Sequence, residues 1–187
     1  PHRQYRGYDY FVSVPQSELV LTREGIVGDR HFGYETTSGA RLKTLYEKGT
    51  SVRNNRQWSA ITPWEINRIA ENLNVAGRLT PELLGINLLL EGVDNISSLP
   101  PMSYLVFSPH SHFESKRPGD VTLVVYAQAL PCTVAGKALV RPLNDETLEK
   151  RFPEAALGYR GTTGWVEHGG VIKPGHTGWI LTPKGTD

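Results

Sequence analysis

The chain has 187 residues, 39 % of them hydrophobic and none in a long apolar run; this suffices for one substantial core, promises no second independent one, and offers no transmembrane candidate. Its 20 basic and 19 acidic residues leave a formal net charge of +1, which gives no support to a global nucleic-acid or membrane-surface role. A single cysteine excludes an internal disulfide and fits a reducing compartment, so the cytoplasm is the expected location. The opening Pro1-His2-Arg3-Gln4-Tyr5-Arg6 has no apolar signal core behind it. The missing initiator methionine suggests a truncated chain or one without a disordered beginning.

Tyr8 to Val14 reads as a short strand stopped by Pro15, and Glu18 to Thr22 as a second, because β-branched and aromatic side chains suit a pleated, partly buried surface. Gly25 to Gly33 carries three glycines that permit turns or close backbone approach. It also brings Asp29, Arg30 and His31 into one short segment, either as a site or as a turn whose polar groups satisfy local backbone. Residues 34–54 lack periodicity and read as a long irregular connection. Its cations Arg41, Lys43, Lys48 and Arg53 form either a wall for an anionic ligand or a solvated surface. In an extended chain Asn54 and Arg56 share a face, so amide and guanidinium donors could meet a phosphate or oxyanion.

Trp58 to Ile61 is strand-like, and Thr62-Pro63-Trp64-Glu65 is the clearest helix start: a capping threonine, a proline in the first turn, and a carboxylate where a capping box requires it. Ile66, Ile69, Ala70 and Leu73 recur at helical spacing, and the stretch from Asn74 to Gly77 ends the helix. A shorter helical turn follows from Thr80 to Gly85. Ile86 to Leu90 then reads as a strand with Asn87 embedded in it, a clamp between loops or a ligand-facing amide.

Tyr104 to Phe107 and Val121 to Tyr126 are further strands. Between them His110 and His112 could face one side of an extended segment, but zinc needs three or four ligands and no nearby cysteine completes the set, so an exposed excursion is expected. Cys132 follows Pro131, which disfavours helix at Leu130, and the thiol is expected in a bend or at a strand end. It is either a small buried hydrophobe or a thiol kept for reaction, sulfur transfer or metal ligation. A helix is expected from Glu146 to Phe152. Gly158 to Gly164 forms a constrained loop offering Arg160, Thr162 and Thr163 to an oxyanion, and Trp165 to Ile172 reads as a hairpin, with a last strand over Trp179 to Thr182. Many short strands between glycine- and proline-rich turns predict one mainly β domain over residues 8–182, closed or strongly curled, with the helix from Pro63 covering an opening.

Taken together, Gly28-Asp29-Arg30-His31, Arg53 to Gln57, Leu84 to Gly92, Leu130-Pro131-Cys132 and Arg160 to Val166 resemble, in order and spacing, the MOSC-domain family, known from the C-terminus of molybdenum-cofactor sulfurases and from stand-alone bacterial proteins. The resemblance implies a β-barrel-like fold with peripheral helices. It also implies that Cys132 handles persulfide sulfur or ligates molybdenum in a pterin-bound cofactor. It places Asn87 near the pterin or its phosphate, Arg160 and Thr162 in the later arginine-glycine loop, and His31 and Arg56 in the pocket. Cofactor-binding reductases of the family carry an arginine where this chain has Gly85, so Arg53 or Arg160 would have to supply that part of a phosphate clamp.

The leading functional expectation is therefore a molybdenum-pterin-cofactor enzyme that reduces N-hydroxylated or N-oxide small molecules. Cys132 would serve as the metal thiolate, and an external electron donor would be needed because the chain has neither a cysteine cluster nor a persuasive flavin motif. The alternatives are a carrier that accepts sulfur on Cys132 from a donor protein, and a non-catalytic module that binds an anion or the cofactor.

Overall fold

The computed structural model describes residues 11–39, 42–110 and 120–183. Part of the strand expected at Tyr8, together with Arg41 and His112, lies outside them. Eleven strands and three helices follow one another as β1 (Leu19–Thr22), β2 (Gly25–Ile26), β3 (Glu35–Thr37), β4 (Ser51–Arg53), β5 (Trp58–Ile61), α1 (Pro63–Leu73), β6 (Leu88–Leu89), β7 (Tyr104–Ser108), β8 (Val121–Gln128), α2 (Thr133–Leu143), α3 (Leu148–Ala155), β9 (Thr162–His168), β10 (Gly170–Ile172) and β11 (Thr177–Leu181). The protein is mainly β with peripheral helices, as expected. Its largest sheet has the order β11-β7-β8-β9-β5-β6. That order has two ends, so among the described residues no closed barrel forms. The remaining strands form a three-stranded sheet, β10-β1-β2, and a two-stranded ribbon, β3-β4.

The chain divides into two compact units. The first contains the described residues up to Pro15, with Ser59–Leu99 and Ala127–Thr162. Its core joins the three helices to Ile61 of β5 and to Val75, Leu79, Leu84 and Ile86. The α1 stripe of Ile66, Ile69, Ala70 and Leu73 shares one buried cluster with Ala135, Leu139 and Leu143 of α2 and with Leu148 and Phe152 of α3. α1 starts as its sequence dictates: Thr62 accepts from the Glu65 amide, the Glu65 carboxylate accepts from the Thr62 amide, and Pro63 occupies the first turn. Asn74 in the left-handed region closes it.

The second unit contains Gln16–Trp58, Pro100–Tyr126 and the chain from Thr163. β7 runs antiparallel to both β8 and β11, and Leu105, Val106, Phe107, Val121, Leu123, Val124 and Val125 are all buried. Trp58 is 1 % exposed and donates its indole N–H to the Trp165 carbonyl at 3.0 Å.

Four expectations are corrected. Residues 34–54 are not wholly irregular, because β3 and β4 pair within them, with Glu35 opposite Arg53; at three residues each, with Val52 their one apolar residue, these strands are too short to show a pattern. Trp165 to Ile172 is not a hairpin. β10 leaves β9 to pair with β1, Leu19 opposite Ile172, and at the bend a Cβ on Gly169 would lie 2.3 Å from the Leu21 carbonyl oxygen. Residues 11–14 carry no strand. Finally, Cys132 lies outside any ladder, as expected, but at the start of a helix, α2, that was not among the predicted elements.

Candidate functional site

In the first unit, Cys132 is the N-cap residue of α2, extended at φ −148°, and its side chain makes no capping hydrogen bond. The thiol is half-buried, packed against the helical core, and its neighbours Leu130 and Val134 are exposed. The sequence rule at Pro131 holds for the residues before it, while the chain turns helical just after the thiol. Downstream, Gly136 donates its N–H to the Cys132 carbonyl at 3.2 Å, and α2 lies so close to α3 that a Cβ on Gly136 would meet the Leu148 carbonyl oxygen at 2.6 Å.

The other expected residues of this unit face inward. Asn87 accepts at its side-chain oxygen from the Ser59 amide and hydroxyl, both at 2.9 Å, and so ties the approach to β6 onto β5. Arg160 is 7 % exposed and donates to the Leu84 carbonyl, and Thr162 is 1 % exposed and donates to the Ala127 carbonyl at 3.0 Å. Between them Gly161 has φ +76°, and a Cβ there would fall 2.0 Å from the Ala60 carbonyl oxygen. The loop expected to hold an oxyanion is thus fastened to main-chain carbonyls.

Two buried residues that the sequence gave no reason to join lie beneath this loop. Glu65 is fully buried. One of its oxygens accepts from the Thr62 amide at 2.9 Å, and the other accepts from the Ser97 amide at 2.7 Å and from the Ser97 hydroxyl. Burial raises the Glu65 carboxyl above its ordinary range, against the opposing hydrogen bonds from Ser97 and Thr62. The capping box identified Glu65 from sequence, but no local pattern marks Ser97, which stands 32 residues away.

In the second unit, His31 and Arg56 are brought to one centre, Asn54. The buried Asn54 amide donates to the carbonyls of His31 and Gly33 at 2.6 and 3.0 Å, and its oxygen accepts the Arg56 amide at 3.1 Å. Asn54 therefore shapes the loop and does not form the expected donor fork with the Arg56 side chain. Asp29 accepts from the His31 amide at 2.7 Å and lies 3.2 Å from its Nδ1. Arg56 is exposed, as is Arg53, whose guanidinium lies over the Trp165 ring at 4.7 Å. Among the described residues no three His, Cys, Asp or Glu side chains gather to hold a metal ion, and no helix is long and apolar enough to cross a membrane.

The MOSC domain model matches residues 29–177. The chain belongs to the MOSC domain family. Among MOSC proteins it is similar to YuaD of Bacillus subtilis strain 168, with 31 % identity over 166 residues, 88 % of this chain and 80 % of the relative. The name of that relative proposes a part in metal–sulfur cluster biosynthesis. The crystal structure of YuaD superposes with a TM-score of 0.82 at 28 % identity, covering 93 % of this MOSC chain and 90 % of the other.

A molybdenum-pterin cofactor brings its own organic ligand to the metal, so one protein thiolate could complete the coordination, and Cys132 is the only thiol. Holding an anionic cofactor also requires side-chain donors directed at it. Of the three residues of the first unit expected to provide them, Asn87 accepts from Ser59 through its oxygen, Arg160 donates one nitrogen to the Leu84 carbonyl, and Thr162 donates its hydroxyl to the Ala127 carbonyl. The Thr162 hydroxyl is thereby committed to the fold, whereas these bonds do not engage the Asn87 amide nitrogen or the other nitrogens of Arg160.

Proposed function

We propose that this MOSC protein is a sulfur carrier in which Cys132 accepts a sulfane sulfur from a donor protein and passes it to an acceptor. The observation that supports this reading is the position of the thiol. It is half-buried at the N-cap of α2, makes no capping bond, and is bordered by exposed Leu130 and Val134. The name of YuaD points to the same kind of chemistry.

In the transfer, the Cys132 thiolate attacks the terminal sulfur of a donor persulfide, R–S–SH. A Cys132 S–S bond forms as the donor S–S bond breaks, and the donor departs as its thiolate. The sulfane sulfur keeps its oxidation level, and no outside oxidant or reductant is needed. The N-terminus of an eleven-residue helix is a favourable place for a sulfur group that carries negative charge along this path. Apolar side chains beside the thiol would limit water at the persulfide and suit docking of a protein donor. The reading assigns the protein to a reducing compartment, where the free thiol persists between transfers.

The test is intact-mass analysis after exposure to a small-molecule persulfide donor. We expect one added sulfur atom on the native chain, removed by reductant and absent from Cys132→Ala. An equal gain on Cys132→Ala, or no gain under conditions that load an established acceptor cysteine, would overturn the reading. Molybdenum and pterin bound stoichiometrically to the native protein and lost from Cys132→Ala would replace it with the reductase alternative.

A further inference from the structure

Resting on the sulfur-carrier reading, we propose that Glu65 and Ser97 are positioning residues for the Cys132 segment, acting through the backbone of Gly161. The connection is continuous and directional. The Ser97 hydroxyl donates its only hydrogen to Glu65, which leaves its oxygen lone pairs to accept the Gly161 N–H at 2.8 Å. The carbonyl of Gly161 in turn accepts the Ala129 N–H at 2.9 Å, three residues before the thiol. Ala129 is the last buried residue before exposed Leu130, so this bond is where the chain is released from β8 toward Cys132.

The backbone at Gly161, which links these two bonds across its Cα, has little freedom to move. It is left-handed, the Ala60 carbonyl closes the space where a Cβ would stand, and Arg160 and Thr162 are fastened on either side. A residue so confined transmits the position of its anchor, and the anchor of its N–H is the Ser97 oxygen. Removing that oxygen would leave a buried N–H without its acceptor, a cost the segment avoids only by shifting. The downstream side of the thiol is held independently, by the Gly136 N–H to the Cys132 carbonyl. Losing the Ser97 anchor should therefore loosen the approach to Cys132 while leaving α2 in place.

The test compares Ser97→Ala, Ser97→Thr and native protein by hydrogen exchange at the Ala129 amide, by the rate at which Cys132 takes sulfur, and by the rate at which iodoacetamide alkylates it. Asn72→Ala, which removes an exposed bond to the Ala155 carbonyl in the same unit, serves as the control. In Ser97→Ala we expect protection at Ala129 to fall about tenfold, the equivalent of one buried hydrogen bond, and sulfur uptake to slow several-fold. Ser97→Thr should restore both and Asn72→Ala should change neither. Unchanged Ala129 exchange in folded Ser97→Ala, or raised exchange with native reaction rates, would overturn the proposal. If Ser97→Ala fails to fold, Glu65→Gln carries the same comparison, because glutamine still serves the capping box while presenting a donor to the Ser97 N–H. Should native Cys132 take no sulfur, the carrier reading fails alone. Alkylation then decides the positioning role: a several-fold change in Ser97→Ala restored by Ser97→Thr supports it, and an unchanged rate overturns it.

Discussion

Replacing glycine by alanine inside a helix normally stabilises it by about 1 kcal/mol. At Gly136 the sign should reverse. An alanine Cβ there would stand 2.6 Å from the Leu148 carbonyl oxygen and 2.8 Å from both the Glu149 carbonyl oxygen and the Phe152 Cβ. Carbon contacts are optimal near about 3.5–4.0 Å, so α2 and α3 would have to part by most of an ångström. Two of the three opposing atoms are backbone, and Phe152 and Leu148 are fully buried, so neither neighbour can swing aside. Overpacking of this kind costs about 1–3 kcal/mol before the opened core adds its own loss, and the net effect should be a destabilisation of about 1–2 kcal/mol after the propensity gain is subtracted. With a urea slope of about 2 kcal/mol/M, the unfolding midpoint should fall by about 0.5–1 M without a change in slope. A midpoint equal to or above that of the native chain would refute the close approach of the two helices at Gly136.

Titration should expose Glu65. Its carboxyl is raised above the ordinary value of 4.5, chiefly by burial. The folded chain therefore holds this proton more tightly than the unfolded chain, and the associated stability is full below 4.5 and lost as pH rises through the folded value; denaturant midpoints against pH should show this decline, and Glu65→Gln should flatten it. Asp145 has the opposite sign. Hydrogen bonds from the Thr147 side chain and amide, then Arg151, hold it below 3.8, so its contribution is present above that value and lost as pH falls through the folded one. Asp145→Asn should remove that acid-side loss, and an unchanged acid limb would count against the Thr147 bonds. Arg53→Ala should remove the cation–π contact with Trp165, costing about 0.5–1 kcal/mol at this exposed site, with altered tryptophan fluorescence; unchanged emission and stability would show that the stacking contributes nothing in solution.

Local chemistry made some of the fold readable. Thr62, Pro63 and Glu65 specify the start of α1 within four residues, and the apolar runs of β7 and β8 identify themselves. α2 was hidden because Pro131 and the β-branched Thr133 and Val134 argue for extended chain, Gly136 weakens the helix and Pro142 interrupts it. The stripe of Ala135, Ala138, Leu139 and Leu143 was the available signal. Cys132 could be singled out because it is the only thiol. The inward engagement of Asn87, Arg160 and Thr162 could not, since Ser59, Leu84 and Ala127 lie 28, 76 and 35 residues away. A polar side chain in a glycine-rich loop looks the same in sequence whether it awaits a ligand or a carbonyl of its own chain.

Gln57 shows what such an inward amide can accomplish. It is 2 % exposed, donates to the carbonyls of Arg23 and Gly33 at 3.0 and 3.2 Å, and accepts the Val166 N–H at 2.8 Å. Apolar contacts tolerate a strand that arrives two residues out of step, because the same face still meets the core. An amide with donors at one end and an acceptor at the other is less forgiving. It is satisfied only when the loop around Arg23, the turn at Gly33 and β9 have all arrived with the right polarity, and enclosing it earlier strands polar atoms away from water. One glutamine thereby acts as a proofreading device for assembly, rejecting collapsed states that hydrophobic burial alone would accept.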